Sequence, residues 1–508
     1  MSQSGITDSP SASLPLDMTT EDPVPSAPKA VYRFFEPIIL FTALIEAVKH
    51  TAKPPTPEPN IDITDPKQLF CAVNNKLCHV CDYERGGRTV TSFVALPDKR
   101  DPSKAQFVFA VNRQTDGQLQ DTAIYVRALF RKINQAPQGE KNQHEARGAL
   151  LYHILRFNRP RVSFYLRNLR SQAEMCLGRC QSANPEDSLI AEELKKILVS
   201  PPLGSDPLRD REVDYMHKCE TTIQLLIQLE KSTAGAAIKS RALEDRIPGF
   251  TSMECWSLLF HTMNRILAYP QSAKFFLRAK RVWPSLFENP DVGFLSSSRP
   301  MEKPARQKIQ KADGIVGRMT SNPEDIELYR NFAESLQAFD LDARIHTEFK
   351  KKTFKPIAHA EVILLNWLLK PEEVAPEKFF NGWAYIGSSK RTCKLCDYYF
   401  QEHRSNVEHR ISHGNFYPSW RIPDVFPHQG KEAKQQRQLM INRVLDRVRQ
   451  DTFNIVEEKA SPIIKRADSN TFSARLTIST EEKWHVRGSE ADDVDDIASK
   501  MGGVSLSS

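Results

Sequence analysis

Cysteine is scarce in this chain, with nine in 508 residues, and a small odd number argues against a framework of disulfides. Long apolar runs are missing too. The most hydrophobic window, FFEPIILFTALIEAV, contains Glu36, Pro37 and Glu46, so it predicts a buried helix and not a membrane span. The first residues, MSQSGITDSPSASLPLDMTTEDP, have neither a basic start nor an apolar stretch, which argues against a secretory signal. We therefore expect a soluble intracellular protein, cytoplasmic or nuclear, that does not contact a membrane.

Neither sign of charge dominates. Lys and Arg number 70 against 63 Asp and Glu, and the resulting net charge of +7 permits an anionic partner without requiring one. The length exceeds that of one ordinary domain, and the 40% hydrophobic content is enough for sizeable cores. Composition alone therefore predicts a globular protein of several parts.

Hydrophobic spacing divides the chain into regions. Residues 1–30, rich in Ser, Pro, Thr and Asp, are predicted to be disordered, as is the acidic tail at 485–508. Over 31–300, stretches such as EARGALLYHILRF predict a mainly α-helical region, with RTVTSFVALP and AQFVFAV as strands. Over 320–460, helices and strands alternate, which predicts an α/β domain. Within it, ARIHTEFKKKTFKPIA is predicted to form one or two strands.

The stretch CKLCDYYFQEHRSNVEHRISH fits two metal-ligand patterns. From Cys393 to His413 its spacing is C-x2-C-x12-H-x3-H, which is that of a nucleic-acid-binding zinc finger. A finger needs His409 and His413 on one helix, whereas NVEHRISHGNFYP predicts a strand followed by Gly and Pro. The upstream sequence AHAEVILLNWLL offers His359 as the third ligand beside Cys393 and Cys396. A structural zinc site without catalysis is a further alternative, and so is a chance occurrence of the two motifs.

One imidazole and two thiolates are a typical ligand set for catalytic zinc, which keeps its fourth position for water. The metal would acidify that water toward hydroxide, the nucleophile of the predicted reaction. Glu361, two residues after His359, would point into the same pocket and carry protons. A second H-x-E motif, His346 to Glu348, is followed by lysines instead of an apolar run, so we predict that it does not begin a buried helix.

Three segments in combination, HAEVILLNWL, YIGSSKRTCKLCDYYF and SHGNFYPSW, resemble the OTT-type deaminases. These are fungal proteins and bacterial-toxin relatives within the zinc-dependent deaminase superfamily. The resemblance covers about 340–425 and implies a cytidine-deaminase-like α/β/α C-terminal domain after the helical region. It implies that His359, Cys393 and Cys396 bind Zn²⁺ and that Glu361 is the proton shuttle. Thr392 stands where the wider superfamily usually has Pro.

The resemblance also implies a function, the hydrolytic removal of an amine from a base in a nucleoside, nucleotide or nucleic acid. His413 and Trp420 match its SHG-to-Trp element and are candidates for shaping the substrate pocket. Lys390 is a third candidate, because it belongs to a local group of basic residues that suits a phosphate, although a solvated surface is the more common explanation of such a group. The rival from another class is a non-catalytic, zinc-stabilised scaffold whose helical region binds protein partners.

Overall fold

Across the residues that the structure describes, the fold is mixed α/β, mostly helical with one small mixed sheet, as the sequence predicts at this level of detail. The computed structural model describes residues 14–19, 21–48, 61–98, 101, 104–137, 143–200, 212–244, 254–302, 311–369, 375–403 and 405–458. None of the helices within these ranges is both long enough and apolar enough to cross a bilayer.

The sheet has five strands: β1 Thr91–Pro97, β2 Ala105–Val111, β3 Asp291–Phe294, β4 Tyr385–Ser388 and β5 Glu408–His409. Their order in space is β3-β2-β1-β4-β5. The hairpin β1–β2 is antiparallel, and β1 also pairs antiparallel with β4, whereas β2 pairs parallel with β3 and β4 parallel with β5. The hairpin therefore lies directly beside the strand that leads to Cys393.

Side-chain alternation along the hairpin creates two cores. Phe93 and Phe109 lie opposite each other, with ring centroids 5.1 Å apart, and belong to one buried cluster. Val94 and Val108, the next pair along, belong to the other. Because both faces of these strands are apolar, the sheet needs helices on both sides.

The helices provide those two layers. In chain order they are α1 Pro28–Ala47, α2 Pro66–Cys81, α3 Asp116–Gln135, α4 Gln143–Phe157, α5 Arg159–Leu177, α6 Pro185–Leu198, α7 Glu212–Lys231, α8 Thr233–Glu244, α9 Cys255–Val282, α10 Ala312–Val316, α11 Pro323–Ser335, α12 Leu341–Lys350, α13 Ala360–Leu368, α14 Lys394–His403 and α15 Gly430–Glu458. Helices α2 to α9 form one layer around α9, which packs against α2, α4, α5 and α8. Helices α1 and α10 to α15 form the other. Local signals help to define them: Thr115 and Gln118, for example, form a capping box at the start of α3.

Residues 343–358 were predicted to form one or two strands, and this prediction is wrong for 343–350, which belong to α12. Leu341, Ile345 and Phe349 recur at intervals of four and are all buried, where the helix packs on α1. That spacing is helical, and burying one face outweighs the strand-like alternation in the sequence.

The sheet crosses the predicted division of the chain. Strands β1 to β3 come from the region predicted to be helical, and β4 and β5 come from the predicted zinc domain. Part of the segment predicted to be disordered over 1–30 also joins the fold: Leu16 N–H donates to Phe294 O at 2.9 Å, and Val24 N–H donates to Val425 O at 2.8 Å. Residues 1–13 and the predicted tail at 485–508 lie outside the described residues.

Candidate functional site

His359 and Glu361 are positioned by the start of α13. His359 is the N-cap residue, and its carbonyl accepts from the backbone N–H of Val362 and Ile363. The next N–H, of Ala360, has no partner inside the helix, as is usual in a first turn. It donates at 2.8 Å to Oδ1 of Asn112, a buried residue just after β2. The hairpin therefore holds the turn that carries His359.

Cys393 and Cys396 are positioned in the same way by the start of α14. The carbonyl of Cys393 accepts from Asp397 N–H at 2.9 Å, and the sulfur of Cys393 accepts from Cys396 N–H at 3.5 Å. Both thiols are buried. The prediction that each half of the motif lies where a helix begins is confirmed.

The two halves meet in one cluster. His359 Nδ1 lies 3.6 Å from Cys393 Sγ and 3.4 Å from Cys396 Sγ, and the three donor atoms all lie within 4.8 Å of one another. Within the described ranges this is the one group of three or more His, Cys, Asp or Glu side chains with the spacing of a metal site. The cluster can hold a metal ion.

The residues 412–421 link the two halves. Thr392 and Ser412 form a parallel β-bridge, and His413 N–H donates to Thr392 O at 3.0 Å. Farther along, Trp420 forms a parallel bridge with Ile357, two residues before His359. The SHG-to-Trp element therefore connects the approach to α13 with the approach to α14.

Trp420 contacts the cluster directly. Its indole is fully buried, and Nε1–H donates to Cys396 Sγ at 3.2 Å. Burial opposes ionisation of Cys393, but a hydrogen bond with Cys396 and the neighbouring His359 hold the pKa of the Cys393 thiol well below its ordinary value. The site thus favours negative charge on the Cys393 sulfur, whereas burial raises the pKa of the Cys396 thiol above its ordinary value, with the Trp420 hydrogen bond acting in the opposite direction.

Glu361 is a buried carboxyl beside the cluster. Oε1 accepts from the Ser388 hydroxyl at 3.2 Å, while Oε2 is buried without a hydrogen-bond partner among the described residues. Burial raises the pKa of Glu361 above its ordinary value, although the nearby His359 acts in the opposite direction. A buried oxygen without a partner is costly in a fold and is therefore a sign of function.

A cavity of about 460 Å³ opens on these groups. His359, Glu361 and Cys393 line it, and so do two further predicted residues, Lys390 and His413. His413 is buried, and its Nδ1 accepts from Asn415 N–H at 2.8 Å. Trp420 is not among the lining residues and lies behind the cysteines.

The histidines of the two alternatives lie elsewhere. His409 Nε2 is 3.4 Å from Asp397 Oδ1, and its Nδ1 is 2.9 Å from the carbonyl oxygen of Arg410. His346 is on α12. Neither belongs to the metal-site group, and His413 does not either, so the finger spacing is not realised as a four-ligand cluster in the described residues.

Sequence reasoning missed several residues of the site. Asn112 accepts from the backbone N–H of Ala360, Ser388 donates to the carboxylate of Glu361, and Arg88 and Arg113 line the cavity. Three of these four lie far upstream, beside the hairpin. The pairing of β1 with β4, which sequence spacing does not show, brings them to the site.

Comparison with known proteins agrees with this location. Residues 358–424 match the family model of the OTT_1508-like deaminases, which supports a relation to a deaminase family. Among curated proteins and among solved structures, no match was found. The matched segment contains His359, Glu361, both cysteines of the cluster and Trp420, whereas Arg88, Asn112 and Arg113 lie outside it.

Proposed function

We propose that this chain is a zinc-dependent hydrolytic deaminase that removes the exocyclic amine from a base in a nucleoside, nucleotide or nucleic acid. One observation carries the proposal: two members of a compact His-Cys-Cys cluster, His359 and Cys393, line the same cavity as Glu361, whose buried Oε2 has no hydrogen-bond partner among the described residues. The family match over 358–424 supports the same reaction class.

The donor set supports zinc as the metal. Thiolate and imidazole are ligands that Zn²⁺ prefers, whereas Mg²⁺ and Ca²⁺ prefer oxygen. Bonds of about 2.3 Å to sulfur and about 2.0 Å to nitrogen at a tetrahedral angle would separate sulfur and nitrogen by about 3.5 Å. The observed separations from His359 Nδ1 are 3.6 and 3.4 Å. When bound, Zn²⁺ supplies an acidified water for attack on an amidine-like carbon of the base.

Glu361 is the proposed proton carrier. Ser388 holds Oε1 through a hydrogen bond, which leaves Oε2 for the reacting groups. In this role Oε2 takes one proton from the attacking water and delivers it to the ring nitrogen. It then takes the remaining proton of the added hydroxyl and delivers it to the amine, which leaves as ammonia while the C–N bond breaks and the carbonyl forms. Because Glu361 is buried, bulk water does not compete for these transfers.

Trp420 and His413 are proposed to support the site in different ways. The indole N–H of Trp420 stabilises charge on Cys396 Sγ and fixes the direction of that thiolate. His413 accepts at Nδ1, so its neutral ring carries the proton on Nε2 and lines the cavity as a donor. Lys390 lines the cavity too and is proposed to contact substrate.

Metal analysis tests the ligand set. His359→Ala is expected to lose bound zinc, measured by mass spectrometry of the purified full chain. The matched variants His409→Ala and His346→Ala are expected to retain it. Loss of zinc from His409→Ala with retention in His359→Ala would contradict the ligand set and favour the finger.

Ammonia release tests the chemistry. The full chain is incubated with nucleosides, nucleotides, RNA and single-stranded DNA, and Glu361→Gln is compared with Glu348→Gln from the second H-x-E motif. We expect Glu361→Gln to keep zinc and lose amine release, while Glu348→Gln keeps both. Bound zinc with no ammonia from any substrate would favour the scaffold, in which the helices α2 to α9 bind protein partners.

A further inference from the structure

The cavity beside His359 has a strongly basic lining. Five lining residues are cationic: Arg88, Arg113, Lys355, Lys390 and Arg391. Among the described residues that line it, Glu361 is the one carboxylate. Such an excess of positive charge around a single opening concentrates anions there.

Two separate parts of the chain supply these cations. Arg88 precedes β1 and Arg113 follows β2, and the two are held side by side because Arg113 N–H donates to Arg88 O at 2.9 Å. Lys390 follows β4, and its Nζ donates at 2.9 Å to the carbonyl oxygen of Gly86, on the same loop as Arg88. The loop before β1 is thus fastened across the cavity to the segment that precedes Cys393.

Burial divides the cavity into an inner and an outer part. Glu361, Cys393 and His413 are buried, whereas Arg88, Arg113 and Lys355 are exposed. We call these last three residues the rim. A ligand whose reacting carbon lies at Glu361 therefore extends outward to positive charge.

The rim charges are poorly compensated inside the fold. No carboxylate within the described ranges lies at salt-bridge distance from Arg113 or Lys355, and Glu84 is 3.9 Å from Arg88 on an exposed surface. Exposed ion pairs of that length contribute little. Like charges gathered at one opening repel one another, and a bound anion would relieve that repulsion.

We propose that the rim binds a phosphate of the substrate, so that the base enters the cavity and its phosphate remains at the opening. The proposal rests on the proposed function, since it takes the ligand to be a base-bearing molecule. A volume of about 460 Å³ suits a ligand of nucleotide size. The phosphate belongs either to a free nucleoside monophosphate or to a nucleotide within a single strand.

Binding distinguishes a phosphate site from ordinary surface charge. The full chain carrying Glu361→Gln, which prevents turnover, is titrated calorimetrically with cytidine, adenosine and guanosine and with their 5′-monophosphates. We expect at least one monophosphate, or a short single-stranded oligonucleotide containing that base, to bind at least about tenfold more tightly than the nucleoside. That factor corresponds to one charge-assisted hydrogen bond.

Rim variants then locate the phosphate. Arg113→Gln and Lys355→Gln are each expected to reduce the preference for the phosphorylated ligand about tenfold. Two exposed cations on distant helices provide matched controls, Arg167→Gln on α5 and Lys239→Gln on α8, and should leave the preference unchanged. An equal affinity for nucleoside and phosphorylated ligand, or a preference that survives both rim substitutions, would overturn the proposal.

The two sources of phosphate differ in their salt dependence. A monophosphate held at the rim contributes about two charges at one position, whereas a strand that crosses the opening releases several counterions and gives a steeper dependence on salt. Preference for the monophosphate identifies a nucleotide as ligand, and preference for the oligonucleotide identifies a nucleic acid. Either result supports the phosphate site.

Failure of this inference is distinguishable from failure of the proposed function. Ammonia released equally from nucleosides and nucleotides would leave the deaminase standing and remove the phosphate site. Rim-dependent binding of phosphorylated ligands without any amine release would keep the phosphate site and remove the catalytic proposal.

Discussion

Replacement of Asn112 tests how the hairpin supports the metal cluster. The buried side chain of Asn112 accepts from Ala360 N–H at 2.8 Å and donates to Gly87 O at 2.9 Å. It therefore joins the end of β2 to the first turn of α13 and to the loop before β1. Asn112→Ala removes both side-chain hydrogen bonds, while the backbone hydrogen bond from Arg113 N–H to Arg88 O still joins the end of β2 to that loop.

The cost follows from what each partner loses. Ala360 is fully buried, so its N–H cannot turn to water, and an unsatisfied donor of this kind costs about 1–3 kcal/mol. Gly87 is exposed, so its carbonyl exchanges Asn112 for water at little cost. The free energy of unfolding should therefore fall by about 2 kcal/mol.

Urea denaturation followed by circular dichroism measures this change, with Gln106→Ala as control. Gln106 lies on the same strand and donates to Asp291 Oδ2 at 3.0 Å, but this hydrogen bond is exposed and its loss should change stability by less than about 0.5 kcal/mol. Zinc retention should also be weaker in Asn112→Ala, because the first turn of α13 carries His359. An unchanged urea midpoint together with unchanged zinc content would refute the reasoning.

Three further predictions concern buried polar groups. Trp420→Phe removes the donor to Cys396 Sγ, so zinc affinity in a chelator competition should fall about tenfold. Unchanged affinity would show that the indole contributes by packing and not through its hydrogen bond. Burial lowers the pKa of half-buried His153 to about 4 from an ordinary 6.5, so the folded state resists protonation. Stability should therefore be complete above pH 6.5 and fall toward pH 4 by less than about 3 kcal/mol, and His153→Gln should make calorimetric melting less dependent on pH across that window. Asp82 forms a buried ion pair with Arg161 at 2.7 Å, so Asp82→Asn should cost about 3–5 kcal/mol in urea denaturation by leaving a buried guanidinium without its counter-charge; a loss below about 1 kcal/mol would contradict this.

The pieces of the fold were more predictable than their assembly. Strands β1, β2 and β4 were predicted because their apolar runs are short and bounded by turn residues. The mutual position of His359, Cys393 and Cys396 was predicted because motif spacing and a family resemblance both indicate it, and the structure brings these side chains together. Spacing within a motif reflects local geometry, which a sequence displays directly.

The supporting residues were not predictable for the opposite reason. Asn112 and Arg113 follow an unremarkable strand, and nothing near them in the sequence indicates a site. They reach the cavity because Phe93 on β1 pairs with Gly387 on β4. Gly387 has no room for a larger side chain, since an added Cβ would lie 2.9 Å from the Cβ of Asn74 on α2. Long-range register of this kind depends on the whole core and not on a short pattern.

The pairing of β1 with β4 also affects how the protein folds during its synthesis. During synthesis the hairpin leaves the ribosome early, but its partner strand follows only after the helices α3 to α13, on the order of tens of seconds later. Until then the edge of β1 that later pairs with β4 has unpaired backbone groups, and the apolar residues Phe93 and Val94 can contact other chains. Contacts between residues so distant in sequence slow folding. The helices α2 to α9 can form before β4 pairs with the hairpin. A nascent chain at that stage has its rim arginines but none of its metal donors.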